Sequence, residues 1–343
     1  MAHAPNELLT DLLQEVSRSF YLTLRVLPKS VRTQIGVAYL LARTTDTIAD
    51  TEILPLDQRL QALQSLRERI LGTRSAPVNF GELARQQSLP AERALLEKIE
   101  ASLALLPALS AADRQLVRNV LDLITAGQEL DLRRFAVAAR PPEGGTPDVI
   151  ALRTDAELDD YTYRVAGCVG EFWTKMCRAH VFPDATLDDA RLLANGVRFG
   201  RGLQLVNILR DLPADLKNGR CYLPNEALAK LGLTPGDLRN PANEHRLRPL
   251  YNHWLDRAAA HLAAGWDYTN TVPWSCVRVR LACAWPVLIG VRTIQKLRTG
   301  NVLDPQQRLK LSRREVRRVI FQSLICYPIP GVWRGLARSD AAA

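Results

Sequence analysis

Paired cysteines, a glycine-rich phosphate loop and a long apolar run are all missing from this sequence, and each absence excludes something. The six cysteines, Cys168, Cys177, Cys221, Cys276, Cys283 and Cys326, form no CxxC pair. Only five histidines occur, none at metal-ligand spacing from a cysteine, so a zinc site is not expected. Reduced, partly buried thiols in a cytoplasmic protein are the expectation instead. No GxGxxG or GxxxxGK segment follows a strand-like run, which excludes the common nucleotide-binding loops. No stretch approaches the roughly 18 apolar residues of a membrane span, and MAHAPNELLTDLL has no signal-peptide core. Aromatics are scarce at 6%. Strand-like alternation is scarce too.

Leucine and alanine fill the space those absences leave. Apolar residues make up 47% of 343 positions, ample for a core, and the composition points to an all-α fold. Net charge is +9, which suits an anionic partner: nucleic acid, an anionic membrane surface or a phosphorylated substrate. The arginines are scattered along helices, with no Lys/Arg run of the kind that marks a nucleic-acid arm, so nucleic acid is not an expected partner. Helices are predicted at about 6–20, from about 30 through Asp50, then to about Ile70, 81–87, 90–106, 111–135, 155–180, 186–212, 224–231, 243–270, 276–298 and 305–320. The long Pro/Gly-containing connection at 138–154 either covers a cavity or is a tolerated surface insertion.

Two acidic pairs share one spacing: Asp46/Asp50 in RTTDTIAD and Asp211/Asp215 in NILRDLPAD. At i, i+4 on a helix, two carboxylates lie on one face about 5–6 Å apart. Tyr39, Arg43, Asp46 and Asp50 fall in one narrow sector, and so do Gln204, Asn207, Asp211 and Asp215. Both stripes interrupt otherwise apolar segments. A helix that is apolar most of the way round is normally buried, and a buried carboxylate is costly unless paired or bound to metal. The pattern predicts two places where magnesium is held by hard oxygen ligands and shared with a substrate phosphate. Two solvated helix faces are the plainer alternative.

Other residues extend the picture. Arg43 stands one turn before Asp46 and suits a phosphate, or an intrahelical ion pair. Pro213 is expected to kink or end its helix, which weakens Asp215 relative to Asp211 as a ligand. Gln204 and Asn207 suit metal or diphosphate, although as isolated residues they fit ordinary surface positions. Ser17, Arg18, Ser19 and Phe20 place hydroxyls and a guanidinium together, as a diphosphate or a helix end needs. In LDDYTYRVAGCVGEFW, Tyr161, Val165, Cys168 and Phe172 form one stripe. The small Ala166, Gly167 and Gly170 fit either close helix packing or room for a thin hydrocarbon chain.

SRSF at 17–20, YLLARTTDTIAD at 39–50, YTYRVAGCVG at 161–170 and QLVNILRDLPADLKNGRCYLP at 204–224 together resemble the squalene/phytoene synthase family, in order and in spacing, across most of residues 10–300. The resemblance implies an isoprenoid-synthase fold: a single large helical bundle around a deep central cavity, with the catalytic domain at 1–303 and an extension at 304–343. It implies that Asp46, Asp50, Asn207, Asp211 and Asp215 hold magnesium bridging prenyl diphosphates. Ser17, Arg18, Ser19, Phe20, Tyr39, Arg43, Gln204, Asn207 and Arg210 would bind the diphosphate. Tyr161 would act in proton transfer. The local similarity looks most like bacterial squalene synthases, which join two farnesyl diphosphates through a cyclopropylcarbinyl diphosphate and reduce it with NADPH. Lys310 and Arg313 fall near the basic segment that contributes to NADPH binding in such enzymes; by themselves they read as a solvated basic helix. Phytoene or dehydrosqualene synthase, a presqualene diphosphate synthase without reduction, and a non-catalytic assembly factor are the alternatives. A monomer is expected.

The C-terminal tail carries one more expectation. Val319, Ile320, Phe321, Leu324, Ile325 and Trp333, flanked by Arg317, Arg318 and Arg334, form an apolar and basic segment interrupted by Pro328 and Pro330. Such a segment either rests on a membrane surface or packs on the enzyme's own core.

Overall fold

The computed structural model describes residues 8–17, 20–51, 54–136 and 148–337, with the backbone alone described at Ser17 and at 20–22. Two compact units emerge. One comprises Met1–Arg133 with Phe172–Ala185, the other Arg134–Glu171 with Thr186–Ala343. The described residues are overwhelmingly helical, as the composition predicts. The helices are α1 (Leu13–Ser17), α2 (Phe20–Val26), α3 (Lys29–Asp50), α4 (Leu56–Leu71), α5 (Gly81–Arg85), α6 (Pro90–Glu97), α7 (Ile99–Leu103), α8 (Ala111–Phe135), α9 (Asp155–Thr162), α10 (Cys168–His180), α11 (Asp189–Lys217), α12 (Asn225–Lys230), α13 (Glu244–Thr271), α14 (Val277–Thr299), α15 (Arg313–Cys326) and α16 (Pro330–Gly335). The one sheet among them is a two-residue parallel bridge, β1 (Ile150–Ala151) against β2 (Arg220–Cys221).

In the first unit, α3 packs against α4, α6 and α7. Val31, Ile35, Val37, Ala38, Leu40, Leu41 and Ile48 are buried around most of its circumference. Thr44 and Thr45 are buried as well, and each hydroxyl donates to a carbonyl of the preceding turn, at Leu40 and Ala42. The polar line that the sequence marks stays accessible: Tyr39, Arg43 and Asp46 are partly exposed and Asp50 is exposed. The single helix predicted over 90–106 is divided instead into α6, α7 and a 3-10 turn at Leu106–Ala108.

In the second unit, α11 packs along α13 and α14. Its core joins Leu205, Leu209, Leu212 and Leu216 with Leu247, Tyr251, Trp254, Leu255 and Leu262. Full burial of each such aliphatic side chain contributes about 1.5–3 kcal/mol. Pro213 does not end α11, contrary to expectation: the helix runs on to Lys217. A proline leaves the carbonyl four residues earlier without its helical donor. Here that carbonyl is Leu209, and the buried Tyr251 hydroxyl donates to it at 2.8 Å. The helix predicted over 155–180 contains a wide π turn at Tyr163–Gly167 between α9 and α10. The small residues there serve close packing. A β-carbon on Gly170 would lie 1.9 Å from the Gly196 oxygen, and one on Gly200 would lie 2.1 Å from the Ala166 oxygen.

The helix expected at 305–320 begins later, at Arg313. Ser312 and Glu315 form a reciprocal capping box there, which fixes the start. Beyond it, the tail is partly core and partly surface. Val319 and Trp333 pack on the core, buried at 1% and 0% exposure. Trp333 stands against Trp266 and Tyr327 and donates to Asn270 Oδ1 at 2.9 Å. Phe321, Leu324 and Ile325 face outward, and Ile329 and Val332 join them. No described helix is long and apolar enough to cross a membrane. None of the six cysteines is in a disulfide among the described residues.

Candidate active site

The first acidic face lies on the last turns of α3. Arg43 donates to Glu92 Oε1 of α6 at 2.6 Å and stands 3.8 Å from Asp46 Oδ2. Burial works against the Arg43 charge, but Asp46 and Glu92 outweigh it and hold the guanidinium above its ordinary value. Asp46 also accepts a hydrogen bond from Gln128 Nε2 of α8 at 2.5 Å. Burial, and next the like charge of Asp50, push the Asp46 carboxyl up to about 7 against the lowering effects of Arg43 and Gln128. Its side chain nonetheless keeps 47% of its surface, so the burial comes from the surrounding protein mass, not from a sealed contact. The Gln128 Oε1 atom is buried and has no hydrogen-bond partner. Gln128 escaped the sequence reading. The same helix carries Asn119, Asp122, Glu129 and Asp131, so no local signal singles out Gln128. Of the segment at 17–20, Arg18 and Ser19 lie outside the described residues, as do the side chains of Ser17 and Phe20.

The second acidic face lies in the other unit, on α11. Asp188 caps this helix by accepting from the Arg191 N–H at 2.9 Å. Because Pro213 is accommodated, Asp211 and Asp215 keep their i, i+4 relation, with Gln204 and Asn207 along the same line. Asn207 and Asp211 are exposed; Gln204 and Asp215 are partly buried. Arg210 grips Asp211 with two hydrogen bonds, at 2.8 and 2.5 Å. That contact, against the cost of burial, holds the Arg210 guanidinium above its ordinary value. Among the described residues no three acidic, histidine or cysteine side chains converge as a ready metal cluster.

Tyr161 stands near the end of α9, which Thr154 caps. Its ring stacks on Tyr222 with centroids 4.8 Å apart, and the two hydroxyls are 3.4 Å apart. Tyr222 is buried and meets Phe135 edge-on. Local backbone explains its position. Gly219 turns the chain out of α11 at a φ of +75°, which favours glycine. The β1–β2 bridge then fixes the strand that leads into Tyr222, with Ile150 donating to Gly219 and Leu152 to Cys221. Tyr222 lies inside the RCYLP segment, but nothing local in the sequence distinguishes its role from that of a core aromatic.

Lys310 and Arg313 are both exposed, one before α15 and one at its first residue. Neither lines either of two cavities found in this unit. The larger, about 570 Å³, is bounded by Leu262, Trp266, Asn270, Ile294, Arg298 and Arg334. The other, about 480 Å³, is bounded by Arg292, Lys296, Glu315, Arg318 and Gln322. Neither contains a residue of the acidic motifs or Tyr161.

Comparison with known proteins follows the same residues. A squalene/phytoene synthase family model matches residues 13–315. The chain is 32% identical over 256 residues to the presqualene diphosphate synthase of Rhodopseudomonas palustris, covering 74% of this chain and 75% of that protein. It is 25% identical over 315 residues to the squalene synthase of Schizosaccharomyces pombe, covering 92% of this chain and 64% of that one. It is 29% identical over 289 residues to the bifunctional lycopene cyclase/phytoene synthase of Blakeslea trispora, covering 82% of this chain but only 43% of that protein. A solved complex of TcSQS with the ligand E5700 superposes with a TM-score of 0.74 at 22% identity, covering 93% of this chain and 86% of the other.

Proposed function

The chain belongs to the squalene/phytoene synthase family and carries its all-α isoprenoid-synthase fold, and from that premise we propose that it joins two farnesyl diphosphates head to head through presqualene diphosphate, with NADPH reduction to squalene. One observation carries the reading. Two helices with extensive buried apolar faces each hold an aspartate pair in i, i+4 register, and in α11 that register is preserved across a proline.

The donor set fits magnesium. Each face by itself offers oxygen donors, Asp46 and Asp50 in the first unit and Asn207, Asp211 and Asp215 in the second. Asp46 is held near 7 partly by the like charge of Asp50, a repulsion that a cation removes, and Gln128 Oε1 waits buried and unpaired beside it. Magnesium bound at these carboxylates would neutralise diphosphate oxygens and stabilise the departing pyrophosphate. Arg43 and Arg210 are committed to Glu92 and Asp211, the first through one hydrogen bond and the second through two, so each orients an acidic side chain; a diphosphate would compete for both guanidinium groups. Tyr161 supplies a hydroxyl that can relay the proton lost as the cyclopropane ring closes, giving up its own proton as it takes the new one, with the Tyr222 hydroxyl as its neighbour and the released pyrophosphate as the base that finally takes the proton.

A second reading stops at presqualene diphosphate. It is supported by the 32% identity over 256 residues to a presqualene diphosphate synthase. Purified protein incubated with farnesyl diphosphate and magnesium, with and without NADPH, separates the two. Presqualene diphosphate is expected without NADPH, and squalene only in its presence if the first reading holds. Asp46→Asn or Asp211→Asn should lower turnover by at least about a hundredfold at unchanged helical content. Turnover that survives chelation of the metal would sink both readings.

A further inference from the structure

The outward face of α15 combines charge and apolar surface in an ordered way. At about 100° per residue, Arg314, Arg317, Arg318, Phe321, Leu324 and Ile325 fall within a sector of about 120°. All six are exposed. The arginines occupy the first half of the helix and the apolar residues the second. The chain then turns at Pro328 and adds Ile329 and Val332. Exposures reach 64% at Phe321 and 57% at Ile325, high for large apolar side chains. This is no frayed end, because the opposite face is tied down. Ser323 accepts from Trp285 Nε1 at 3.0 Å, the Tyr327 hydroxyl donates to the Trp274 carbonyl at 2.5 Å, and Trp333 is fully buried.

We propose that this face docks on an anionic lipid surface, with α15 lying in the interfacial plane. Charge complementarity selects that partner. Between Arg313 and Ala337 there are five arginines and a single acid, Glu315. Glu315 is spent on Lys296 and on the Ser312 cap. No acidic side chain pairs with Arg314, Arg317 or Arg318 among the described residues. Arg318 also borders a cavity lined by Arg292 and by the Lys296–Glu315 pair, so a headgroup phosphate reaching it meets two guanidinium groups. A second copy of the chain fits less well, since an isologous contact would set this positive surface against itself. The helix has only 14 residues and is followed by Pro328, so it lies on the membrane and does not cross it. The inference stands on this surface alone and is independent of the reaction product.

Vesicle sedimentation tests it. The full chain should bind phosphatidylcholine vesicles carrying about 30 mol% phosphatidylglycerol at least about tenfold more tightly than phosphatidylcholine alone, and lose binding in high salt. The double variant Phe321→Ser/Ile325→Ser and the triple variant Arg314→Gln/Arg317→Gln/Arg318→Gln should each weaken binding about tenfold or more. Both change outward residues, and an unchanged circular dichroism spectrum and thermal midpoint verify the fold. Equal binding by wild type and the double variant overturns the proposal. So does wild-type protein that stays in the supernatant with anionic vesicles, including the case where it forms a dimer that the double variant dissolves.

Discussion

Single side chains decide the chemistry, and two of them lend themselves to direct tests. Tyr161 and Tyr222 stack and bring their hydroxyls within 3.4 Å. Tyr161→Phe should cut formation of the cyclopropyl intermediate far more than it weakens substrate binding, and Tyr222→Phe should do so to a smaller extent. Single-turnover kinetics separates the two effects, and a Tyr161→Phe protein with normal turnover would remove the phenol from the mechanism. His261, on α13, tests the electrostatics of the second unit independently of catalysis. Burial first, then the charges of Arg198, Arg201 and Arg257, push it down to about 4, and Asp159 only partly opposes them. Between about 4 and its ordinary 6.5, the unfolded chain binds a proton that the native protein refuses. Stability is therefore expected to fall as pH drops through that window and to be fully present above it. The pH profile of the thermal midpoint should flatten between these values in His261→Gln; identical profiles would show that His261 is not the group responsible.

Helix α11 carries more constraint than any residue on it. Its middle approaches the Tyr163–Gly167 turn and the start of α10 backbone to backbone, which only glycine at 170 and 200 allows. A methyl group at Gly200 meets a carbonyl oxygen, and backbone cannot swing aside as a flexible side chain can. Gly200→Ala should cost at least about 1–3 kcal/mol, read from denaturant unfolding. The same helix survives Pro213 only because Tyr251 donates to the Leu209 carbonyl. Tyr251→Phe leaves that carbonyl buried and unsatisfied, with an expected loss of about 1–3 kcal/mol. A Tyr251→Phe protein as stable as wild type would mean that some other donor or water serves the carbonyl.

On the scale of the whole molecule, the C-terminal segment is a structural part of the second unit and not an appendage. Arg280 is buried, and among the described residues no acidic side chain pairs with it. Its guanidinium is held by the carbonyls of Asn270 and Val272, by the Asn270 side chain and by the faces of Trp274 and Trp333. Burial lowers its pKa. Trp333 therefore closes a cluster built mainly on α13 and α14. Trp333→Ala should destabilise by about 3–5 kcal/mol, and truncation after Ser312 by more, because Val319, Ser323 and Tyr327 go with it. Calorimetry checks this, and a truncated chain melting at the wild-type temperature would refute it.

Much of this protein was legible in the linear sequence, and the reason is locality. Helical periodicity acts over three and four residues, so the stripes at Tyr39–Asp50 and Gln204–Asp215, and the all-α class, follow from spacing alone. The motif order from SRSF to RCYLP carried the family. What the tertiary structure alone decided are contacts between residues distant in the chain. Gln128 reaches Asp46 across 82 positions, and Tyr251 rescues Leu209 across 42. Local signals could not place Val319 and Trp333 inside while leaving Phe321 and Ile325 outside. All four are apolar, and only the neighbours that pack against the segment determine which of its faces is covered.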